Sequence, residues 1–390
     1  MGFSLAGRNI QMNMRKFDIA IIGGGPAGAS AAMLLSGRGY SVALVEKKTF
    51  PREVLCGEFI SREVTEFLKS NLLFNDFLNL GANPIKSFRL IGSNGENVFS
   101  PLNFLAYGIR RSKFDSLLLM KAREKGTEIF QPAEVIDLKI EGDRHLIKVK
   151  LVPDNEFTID AKIIIAAYGK QSILDKQTGR GFHSVKSGLN GIKYHIDKSM
   201  FNSFNPEEII LFNGRDIYLG LNGVDENKVT LCYLEKRNPL HQLPKERLLS
   251  LRTENRQFAK MLKDDFFNYI EKLPVYGTGN IYFGRRDIVR DGIFYIGDSA
   301  GVIAPLVGDG IGMAIQSAMT LSNILLRNNL EMGISAIEYK EGWKKLFLRR
   351  IYIARFIQKS MLNSSFRKTG IKIISAIPGA LPMIINYTRG

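Results

Sequence analysis

The feature that most limits the fold of this chain is a glycine-rich segment near its start, Asp18 to Lys48, which reads DIAIIGGGPAGASAAMLLSGRGYSVALVEKK. A short apolar run, 18–22, leads into consecutive glycines, and a stretch of small residues then extends to about Gly37. A second apolar run, 41–45, follows. This succession is typical of a β-strand, a tight turn, a helix and another strand. The sequence therefore predicts an α/β fold that opens with a Rossmann-like unit.

Three glycines of this segment have separate physical roles in such a unit. Gly23 permits the tight turn, Gly25 lets the backbone approach a pyrophosphate, and Gly28 lets the helix pack closely on the sheet. The helix start, which includes Pro26 and Ala27, offers free N–H groups and the positive end of a dipole to the phosphates. We therefore expect a dinucleotide to bind at this turn.

A carboxylate follows the second apolar run, where it can accept hydrogen bonds from ribose hydroxyls. This residue is Glu46, and it stands at the distance from the glycines that is expected in a dinucleotide site. We assign the adjacent Lys47 and the more distant Val135 to the same site. These residues alone do not distinguish NAD from FAD.

A second glycine-rich segment narrows the choice. It reads DGIFYIGDSAGVIAPLVGDGIGMAIQSA, Asp291 to Ala318, and consists of an apolar strand, a loop and a helix start. With this segment the chain resembles the FAD-dependent oxidoreductases that have the aromatic-hydroxylase type of fold, most closely the geranylgeranyl reductase and FixC-like branch. The resemblance implies that Asp298 binds the ribityl chain of FAD and that the helix start faces the flavin ring. The cofactor residues implied in this segment are Gly297, Asp298, Gly308, Asp309, Gly310 and Ile311.

Two further segments resemble parts of the same family. The stretch Tyr107 to Gly126 resembles the family's arginine-containing helix, and its spacing selects Arg111 over Arg110 as the residue near the FAD phosphates. The strand and turn Ile163 to Asp175 carry Tyr168 where many members have an aspartate. That difference separates the chain from a straightforward aromatic hydroxylase.

The segment CGEFIS, Cys56 to Ser61, resembles the Cys-Gly-Glu segment of the geranylgeranyl reductase branch, which passes near the flavin. Cys56 and Glu58 are therefore the candidate catalytic residues. Cys56 could be redox-active or a packing residue, and Glu58 could orient Cys56, protonate a substrate carbon or form an ordinary salt bridge. Tyr194 and His195 could point into the substrate cavity on one alternation or away from it on the other.

The remaining sequence predicts a sheet-based domain and a helical end. From Gly179 to Val275, short alternating apolar runs are separated by Asn, Gly and Asp, which is typical of an antiparallel sheet. A hairpin signal at Asn94-Gly95 adds a nearby segment to this sheet. We therefore predict an FAD-binding domain, an antiparallel β-sheet substrate domain and a basic helical C-terminal segment. Their predicted extents are 14–82, 106–175 and 276–335 for the first, 83–105 and 176–275 for the second, and 336–390 for the third.

The C-terminal segment combines positive charge with a helical apolar pattern. Residues 340–372 carry ten lysines and arginines against the single acid Glu341. Apolar residues recur there at spacings of three or four, which predicts a basic amphipathic helix. These residues are Leu346, Phe347, Ile351, Ala354, Ile357 and Met361. Such a helix either covers the protein core or rests on an anionic membrane surface.

Composition limits the compartment and the partners. Two cysteines suit a reducing compartment, and residues 1–13 lack the apolar core of a signal peptide, so we expect a cytoplasmic protein, with any membrane contact peripheral. The excess of 16 positive charges comes without a recognisable nucleic-acid module, so no nucleic-acid partner is expected.

The histidines lack the paired spacing of metal ligands, so no metal is expected. They are His145, His183, His195 and His241. The oligomeric state stays open.

The resemblance implies two activities that both start from reduced FAD. In the first, flavin N5 delivers a hydride to a carbon–carbon double bond of a large apolar, polyprenyl-like substrate, and a proton goes to the other carbon. In the second, a monooxygenase hydroxylates an aromatic or polyketide substrate through a C4a-hydroperoxide. The Cys-Gly-Glu segment favours the reductase. No second glycine fingerprint is present, so NAD(P)H would bind only transiently, or another carrier would donate the electrons.

Other proteins with this fold fit the sequence less well. Electron-transfer flavoprotein to quinone oxidoreductases bind an iron–sulfur cluster through four cysteines, whereas this chain has two. Flavin-dependent tryptophan halogenases carry a Trp-x-Trp-x-Ile-Pro box, whereas the only tryptophan here is Trp343. A non-catalytic lipid-binding protein, such as a Rab GDP-dissociation inhibitor, would not need the FAD-binding residues. The reductase is therefore the first prediction, the monooxygenase the alternative, and the non-catalytic binder the second alternative.

Overall fold

Two eight-stranded sheets organise the part of the chain that the structure, a computed structural model, describes. The described residues are 14–151, 155–185, 187–237, 243–279, 282–283, 286–363, 377 and 379–387. The strands are β1 Met14–Ile22, β2 Val42–Val45, β3 Phe59–Ile60, β4 Asn83–Ile91, β5 Asn97–Gly108, β6 Glu128–Phe130, β7 Ala133–Glu141, β8 Arg144–Leu151, β9 Asn155–Ala166, β10 Leu189–Asp197, β11 Glu208–Gly214, β12 Ile217–Gly223, β13 Lys228–Lys236, β14 Tyr276–Gly279, β15 Val289–Arg290 and β16 Ile293–Tyr295. The helices are α1 Pro26–Ser36, α2 Arg62–Ser70, α3 Phe74–Asn79, α4 Arg111–Glu124, α5 Ile173–Gln177, α6 Pro244–Glu254, α7 Arg256–Met261, α8 Phe266–Ile270, α9 Gly310–Arg327, α10 Met332–Met361 and α11 Ala380–Tyr387.

The first sheet contains the opening glycine unit and has β1 near its centre. Its order is β15-β16-β9-β1-β2-β6, and β1 runs parallel to both β2 and β9. The hairpin of β7 and β8 joins the sheet through an antiparallel pairing of β8 with β9. The predicted apolar run at the end of β1, Ile19 to Ile22, is buried in the core. The glycines that follow β1 therefore lie at the carboxyl edge of parallel strands, where ligands bind in such sheets.

Small residues let α1 pack closely on this sheet. Ala29, Ala31 and Ala32 are fully buried. A Cβ on Gly28 would lie 1.9 Å from the carbonyl oxygen of Gly23, so only glycine allows this approach of helix and strand. The same helix also contacts α4 and α9.

The second sheet has the order β14-β10-β13-β12-β11-β4-β5-β3. Its strands pair antiparallel except β11 with β4, which run parallel. The hairpin at Asn94-Gly95 joins β4 to β5, and Gly95 has a φ of +89° there. The predicted domain limits differ from the sheet at three places. Strand β3, the end of β5 at 106–108 and β14 all pair in this sheet, although the prediction assigned them to the FAD-binding domain.

The two faces of the second sheet have different neighbours, and alternation along β11 shows this directly. Ile210 and Phe212 belong to the core beneath α6, α7 and α8. Leu211, between them in sequence, packs on the opposite side with Val302 and Met361. That opposite side faces the first sheet and its helices, and it borders the cavity described below.

The C-terminal helix α10 packs part of its predicted apolar face against the core. Phe347 and Ile351 are buried in the main core. The helix ends at Met361, before the predicted end, and 364–376 lie outside the described residues. Phe356 is exposed on the outer side. Within the described part of the chain no helix, α10 included, is long and apolar enough to cross a membrane.

Candidate functional site

A cavity of about 1460 Å³ opens at the carboxyl edge of the parallel strands and is lined by residues of both sheets. Most residues predicted to bind the cofactor lie on its wall. These are Gly23, Gly25, Pro26, Ala27, Glu46, Lys47, Arg111, Val135, Gly297, Asp298, Gly308, Gly310 and Ile311. The tertiary structure thus joins the two glycine-rich segments, which lie far apart in sequence, into a single site.

Gly28 and Asp309 were predicted to bind the cofactor, but they do not lie on the cavity wall. Gly28 instead serves the close approach of helix and strand. Asp309 is fully buried, and its Oδ2 lies 3.3 Å from Nη1 of Arg350 on α10. The glycine motif around Asp309 suggested a flavin contact, but the side chain turns towards the C-terminal helix.

The start of α1 has the properties of a phosphate-binding helix end. Its N-cap residue is Gly25, and no side chain caps the helix, so its first N–H groups have no side-chain partner. The atom closest to the position of a Cβ on Gly25 is Nη2 of Arg52, at 3.6 Å. Glycine therefore leaves open space at the positive end of the helix dipole.

Glu46 is fixed beside this turn by backbone hydrogen bonds. Its Oε2 accepts from the N–H of Gly24 and its Oε1 from the N–H of Lys48, both at 2.7 Å. A carboxylate oxygen can accept more than one hydrogen bond, so Glu46 keeps capacity for ribose hydroxyls. Lys47 is exposed and pairs with Glu134 at 2.6 Å, so its charge is already partnered at the surface.

Two guanidinium groups stand near the helix start, of which the sequence identified one. Arg111 binds Asp115 in a bidentate pair, with Nε to Oδ1 at 2.7 Å and Nη2 to Oδ2 at 2.8 Å. Arg52 lies closer to the glycine turn, with Nη1 at 3.7 Å from Oδ2 of Asp115 and Nε at 3.8 Å from Oε1 of Glu46. Both line the cavity and could hold phosphates. Arg52 follows β2 in an irregular loop, and no sequence pattern identified it as a residue of the cofactor site.

The second glycine segment brings a carboxylate and another helix start to the same cavity. Asp298 lines the cavity, and its backbone oxygen accepts from Nη1 of Arg286 at 2.9 Å. The start of α9 has no side-chain cap, and the position of a Cβ on Gly310 has open space around it. Gly297 has a φ of +59°, and a Cβ there would lie 2.9 Å from Cβ of Ala27. The turn after β16 therefore approaches the start of α1 closely.

This combination of groups fits FAD. Two uncapped helix starts, a carboxylate beside the first and another at a strand end line one continuous cavity. A family model described as an FAD binding domain matches residues 16–329. The chain belongs to this FAD-binding family. It is an FAD-dependent oxidoreductase, and both the predicted cofactor and the predicted fold class are confirmed.

Relatives of this flavoprotein include reductases and halogenases. The digeranylgeranylglycerophospholipid reductase 3 of Methanosphaera stadtmanae is 26% identical over 338 residues, covering 80% of this chain and 78% of the relative. A tryptophan 2-halogenase of Chondromyces crocatus is 24% identical over 367 residues, covering 89% of this chain and 67% of the relative. A solved geranylgeranyl bacteriochlorophyll reductase-like protein of Thermoplasma acidophilum has a TM-score of 0.76 at 20% identity, over 95% of this chain and 96% of that chain. The predicted resemblance to geranylgeranyl reductases is confirmed.

Glu58 of this flavoprotein is the centre of a buried ion cluster. Its side chain is fully buried, and its φ of +59° is uncommon for a residue with a Cβ. Its Oε1 accepts from Nζ of Lys193 at 3.0 Å and from the backbone N–H of Arg111 at 2.8 Å. Its Oε2 accepts from the hydroxyl of Thr230 and lies 2.6 Å from Nε2 of His195. Strands β10 and β13 of the second sheet therefore hold the loop before β3.

Positive partners keep the carboxylates of this cluster ionised. Burial alone would raise the pKa of Glu58, but the hydrogen bond from His195 and the charge of Lys193 outweigh burial and lower that pKa. Glu53 accepts from Nζ of Lys193 at 3.0 Å. Burial opposes its ionisation too, but the charge of Lys193 prevails and lowers the pKa of Glu53 from 4.5 to about 2. Glu58 is therefore an ionised acceptor, with no proton to give to a substrate carbon at neutral pH.

The same cluster has the spacing of a metal site but holds an ammonium group. Ligand atoms of Glu53, Glu58 and His195 lie within 4.8 Å of one another. Nζ of Lys193 lies 3.0 Å from an oxygen of each carboxylate. The ammonium supplies the positive charge that a metal ion would bring, and it repels a cation. We therefore assign these residues to an ion-pair network. His241 lies outside the described residues.

Cys56 lies on the cavity wall two residues before Glu58. Its Sγ is partly buried and accepts from the backbone N–H of Glu58 at 3.3 Å. Burial acts to lower the pKa of Arg111, but Asp115 and, to a smaller extent, Cys56 raise it, so the Arg111 guanidinium interacts with the thiol. The candidate thiol therefore faces the cavity with a cation beside it.

The structure also determines which of two neighbouring β10 residues faces the site. Tyr194 packs in the core beneath α6 to α8, while His195 points the other way and binds Glu58. Lys193 lies two residues before His195, so both share one face of the strand. Alternation in the sequence could have indicated this pairing of Lys193 with His195. The sequence contained no signal that showed which face of β10 contacts the loop with Glu58.

Proposed function

We propose that this flavoprotein reduces carbon–carbon double bonds of a large apolar, polyprenyl-like substrate. The observation that carries the proposal is the extension of the cavity beyond the FAD-binding residues and along the second sheet. Apolar and aromatic residues dominate that part of its wall. They include Phe88, Ile209, Leu211, Tyr218, Leu221 and Leu234. A pocket for one small molecule typically has about 300–1,000 Å³, and this cavity is larger, at about 1460 Å³.

Similarity to reductases supports the same class of substrate. The relative from Methanosphaera stadtmanae is named for a phospholipid that carries digeranylgeranyl chains. A long unsaturated chain of that kind would match an apolar wall that offers few fixed polar partners. A substrate of this kind would bring a cytoplasmic protein to the inner surface of a membrane. The exposed Tyr352 and Phe356 on the basic helix α10 are available for such peripheral contact.

Residues of the chain would donate the proton, stabilise the resulting thiolate and position the loop. Bound and reduced FAD would supply a hydride to one alkene carbon. Cys56 then donates the proton of its Sγ to the other carbon, and the guanidinium of Arg111 stabilises the thiolate that remains. Solvent at the cavity mouth returns the proton. Glu58 acts as a positioning residue, because its charge fixes the loop that carries Cys56.

The electron donor in this proposal is NAD(P)H or another carrier that binds transiently. The support is the sequence, which contains a single dinucleotide fingerprint and a second glycine segment that serves the flavin. A transient donor would reach the flavin from the open side of the cavity.

The proposal is tested by mixing anaerobically reduced protein with a geranylgeranyl lipid and following flavin absorbance. We expect the lipid to reoxidise the flavin and to yield a product with fewer double bonds, measured by mass spectrometry. If reoxidation requires oxygen, and labelled oxygen enters an aromatic or polyketide product, the protein is a monooxygenase and the proposal is wrong.

The role of Cys56 is tested with the chain's other cysteine as a matched control. A general acid contributes about 10²–10⁴-fold to rate, so Cys56→Ser should slow lipid-dependent reoxidation about 100-fold while FAD content stays unchanged. Cys232 also lines the cavity, but burial raises its pKa to about 12. Cys232→Ser should therefore change the rate less than about twofold. Equal rates in the two variants would remove Cys56 from the mechanism.

A further inference from the structure

A second cavity, of about 620 Å³, lies between α10 and the segments around Phe182 and Arg286. It shares no wall residue with the FAD cavity in the described part of the chain. Its described wall carries five basic residues and a single acid, Asp287. The basic residues are Arg180, Arg286, Lys340, Lys344 and Arg355. Its volume falls within the range of about 300–1,000 Å³ that is usual for small-molecule sites.

Most of this positive charge is not neutralised by the described residues. Arg180 pairs with Asp175 at 2.9 Å. The other four basic residues form no ion pair with a carboxylate within the described part of the chain. Asp287, the acid on the wall, pairs with Arg290 at 3.3 Å. The cavity therefore presents an excess of positive charge to any molecule that enters it, which favours an anion.

Arg286 is the most buried of the cations without a carboxylate partner. Its side chain hydrogen-bonds to the backbone oxygens of Asp298 at 2.9 Å and Tyr282 at 3.4 Å. Its Nε is buried and has no hydrogen-bond partner among the described residues. Burial lowers its pKa to about 10, although the charge of Asp298 opposes that change. A buried cation without a carboxylate in direct contact among the described residues is costly, and a bound anion would offset this cost.

The apolar part of the wall suits an organic molecule better than a bare ion. The rings of Phe182 and Tyr282 stack with centroids 5.5 Å apart. Arg286 lies 4.1 Å from the centroid of Phe182. Trp343 and Tyr352 of α10 stand on the wall as well. The cavity therefore combines flat aromatic surfaces with cationic groups.

We propose that this second cavity binds a phosphate-bearing organic ligand, whose phosphate pairs with Arg286, Lys344 and Arg355. A phosphate group matches a wall that carries several cations, because its oxygens accept charge-assisted hydrogen bonds from arginine and lysine. The same chemistry occurs in soluble nucleotides such as NADPH and in the head groups of anionic phospholipids. The described walls of the two cavities share no residue, and Arg286 connects them through its hydrogen bond to the backbone oxygen of Asp298.

Arg286 is unsuitable for a test, because its contact with Asp298 links it to the FAD cavity. Lys344 and Arg355 are better targets, since both lie on the outer helix α10. The double variant Lys344→Gln and Arg355→Gln removes two charges from the second cavity. The matched control is Lys345→Gln with Lys359→Gln, which removes two charges from the exposed side of the same helix, outside the cavity wall.

The experiment measures binding to the FAD-loaded full chain by calorimetry at low salt. The probes are inorganic pyrophosphate, NADPH, and phosphatidylglycerol vesicles beside phosphatidylcholine vesicles. We expect saturable binding of at least one probe, at least tenfold weaker in the cavity variant and changed less than twofold in the control, in line with about 1.4 kcal/mol per tenfold change. FAD content, measured in parallel, establishes that each variant is folded.

The pattern across the probes identifies the source of the phosphate. Binding of pyrophosphate or NADPH with the expected variant effect assigns the site to a soluble ligand. Binding only to phosphatidylglycerol vesicles, with the same variant effect, assigns it to a lipid head group. The proposal is overturned if no probe binds saturably, or if the cavity variant and the control weaken binding equally.

Discussion

Oε2 of Glu58 lies 2.6 Å from Nε2 of His195, and this contact joins the loop at the FAD cavity to the second sheet. The two residues are 137 positions apart in the chain. Lys193 binds the other oxygen of the same carboxylate at 3.0 Å. The position of Cys56 on the cavity wall therefore depends on a buried ion cluster that strands β10 and β13 complete.

Replacing Glu58 with glutamine should destabilise the protein more than it weakens FAD binding. Glutamine has a similar size but no charge, so the ammonium of Lys193 would keep only Glu53 as an ionised partner. Loss of one member of a buried pair typically costs about 3–5 kcal/mol, and we expect a decrease of about 3 kcal/mol in the free energy of unfolding. Denaturant titration measures this decrease in the free energy of unfolding. Glu66→Gln, on the exposed side of α2, is the control and should change the value by less than about 0.5 kcal/mol. Equal stability of the two variants would contradict the ion cluster.

Stability should fall when the medium becomes acidic, because Glu53 is more acidic in the folded chain. Burial opposes this change, but the charge of Lys193 lowers the pKa of Glu53 from 4.5 to about 2. The stabilisation is thus complete above pH 4.5 and is lost as the pH falls towards 2. Unfolding curves of wild type and Glu53→Gln across this range test it, and the variant should show a smaller slope. Parallel curves would contradict the assignment.

Two glycines of the opening motif should respond differently to alanine. A Cβ on Gly28 would meet the carbonyl oxygen of Gly23 at 1.9 Å, so Gly28→Ala should disrupt the first sheet itself. Gly25 has an ordinary φ of −69° and no close neighbour, so Gly25→Ala should fold normally. Its new methyl group would occupy phosphate space, and we expect FAD affinity to fall about tenfold or more. FAD titration and denaturation of the FAD-free proteins separate the two effects. Full FAD affinity in Gly25→Ala would show that the pyrophosphate lies elsewhere.

Substitutions of Asp298 and Asp309 should have different effects on FAD binding and on stability, although both residues belong to the second glycine segment. Asp298→Ala removes a carboxylate from the cavity wall, so the purified protein should lose its yellow colour while its FAD-free form keeps normal stability. Asp309→Ala leaves Arg350 without its buried carboxylate partner. We expect this variant to lose about 3 kcal/mol of stability and to bind FAD within about threefold of wild type at low temperature. Colour retained by Asp298→Ala would contradict its place at the ribityl chain.

Features that depend on neighbours in sequence were predictable. The strand, glycine turn and helix at the start of the chain follow from apolar alternation and from backbone geometry that glycine alone permits. Glu46 follows from its fixed distance to that turn, and the hairpin at Asn94-Gly95 follows from turn chemistry. The family resemblance then identified FAD, because its motifs are themselves short segments.

Other features could not be predicted, because they depend on contacts between segments that lie far apart in the sequence. The basic helix α10 had an apolar face that suited either a membrane or a core, and only packing showed Phe347 inside the core. The edge pairing of β3 and β14 placed these strands in the second sheet, against the predicted domain limits. Arg52 lies in a loop without a pattern, and only folding brings it to Gly25.

The sequence by itself determined the nucleotide-binding framework, since the spacing of glycines and carboxylates is a local property of the backbone. The tertiary structure decided the ionic partners of Glu58, because Lys193, His195 and Thr230 come from strands far along the chain. It also decided the direction of Asp309 and the existence of the second, basic cavity. Long-range contacts set burial and the distances between charges, and these quantities determine what an ionisable side chain can do.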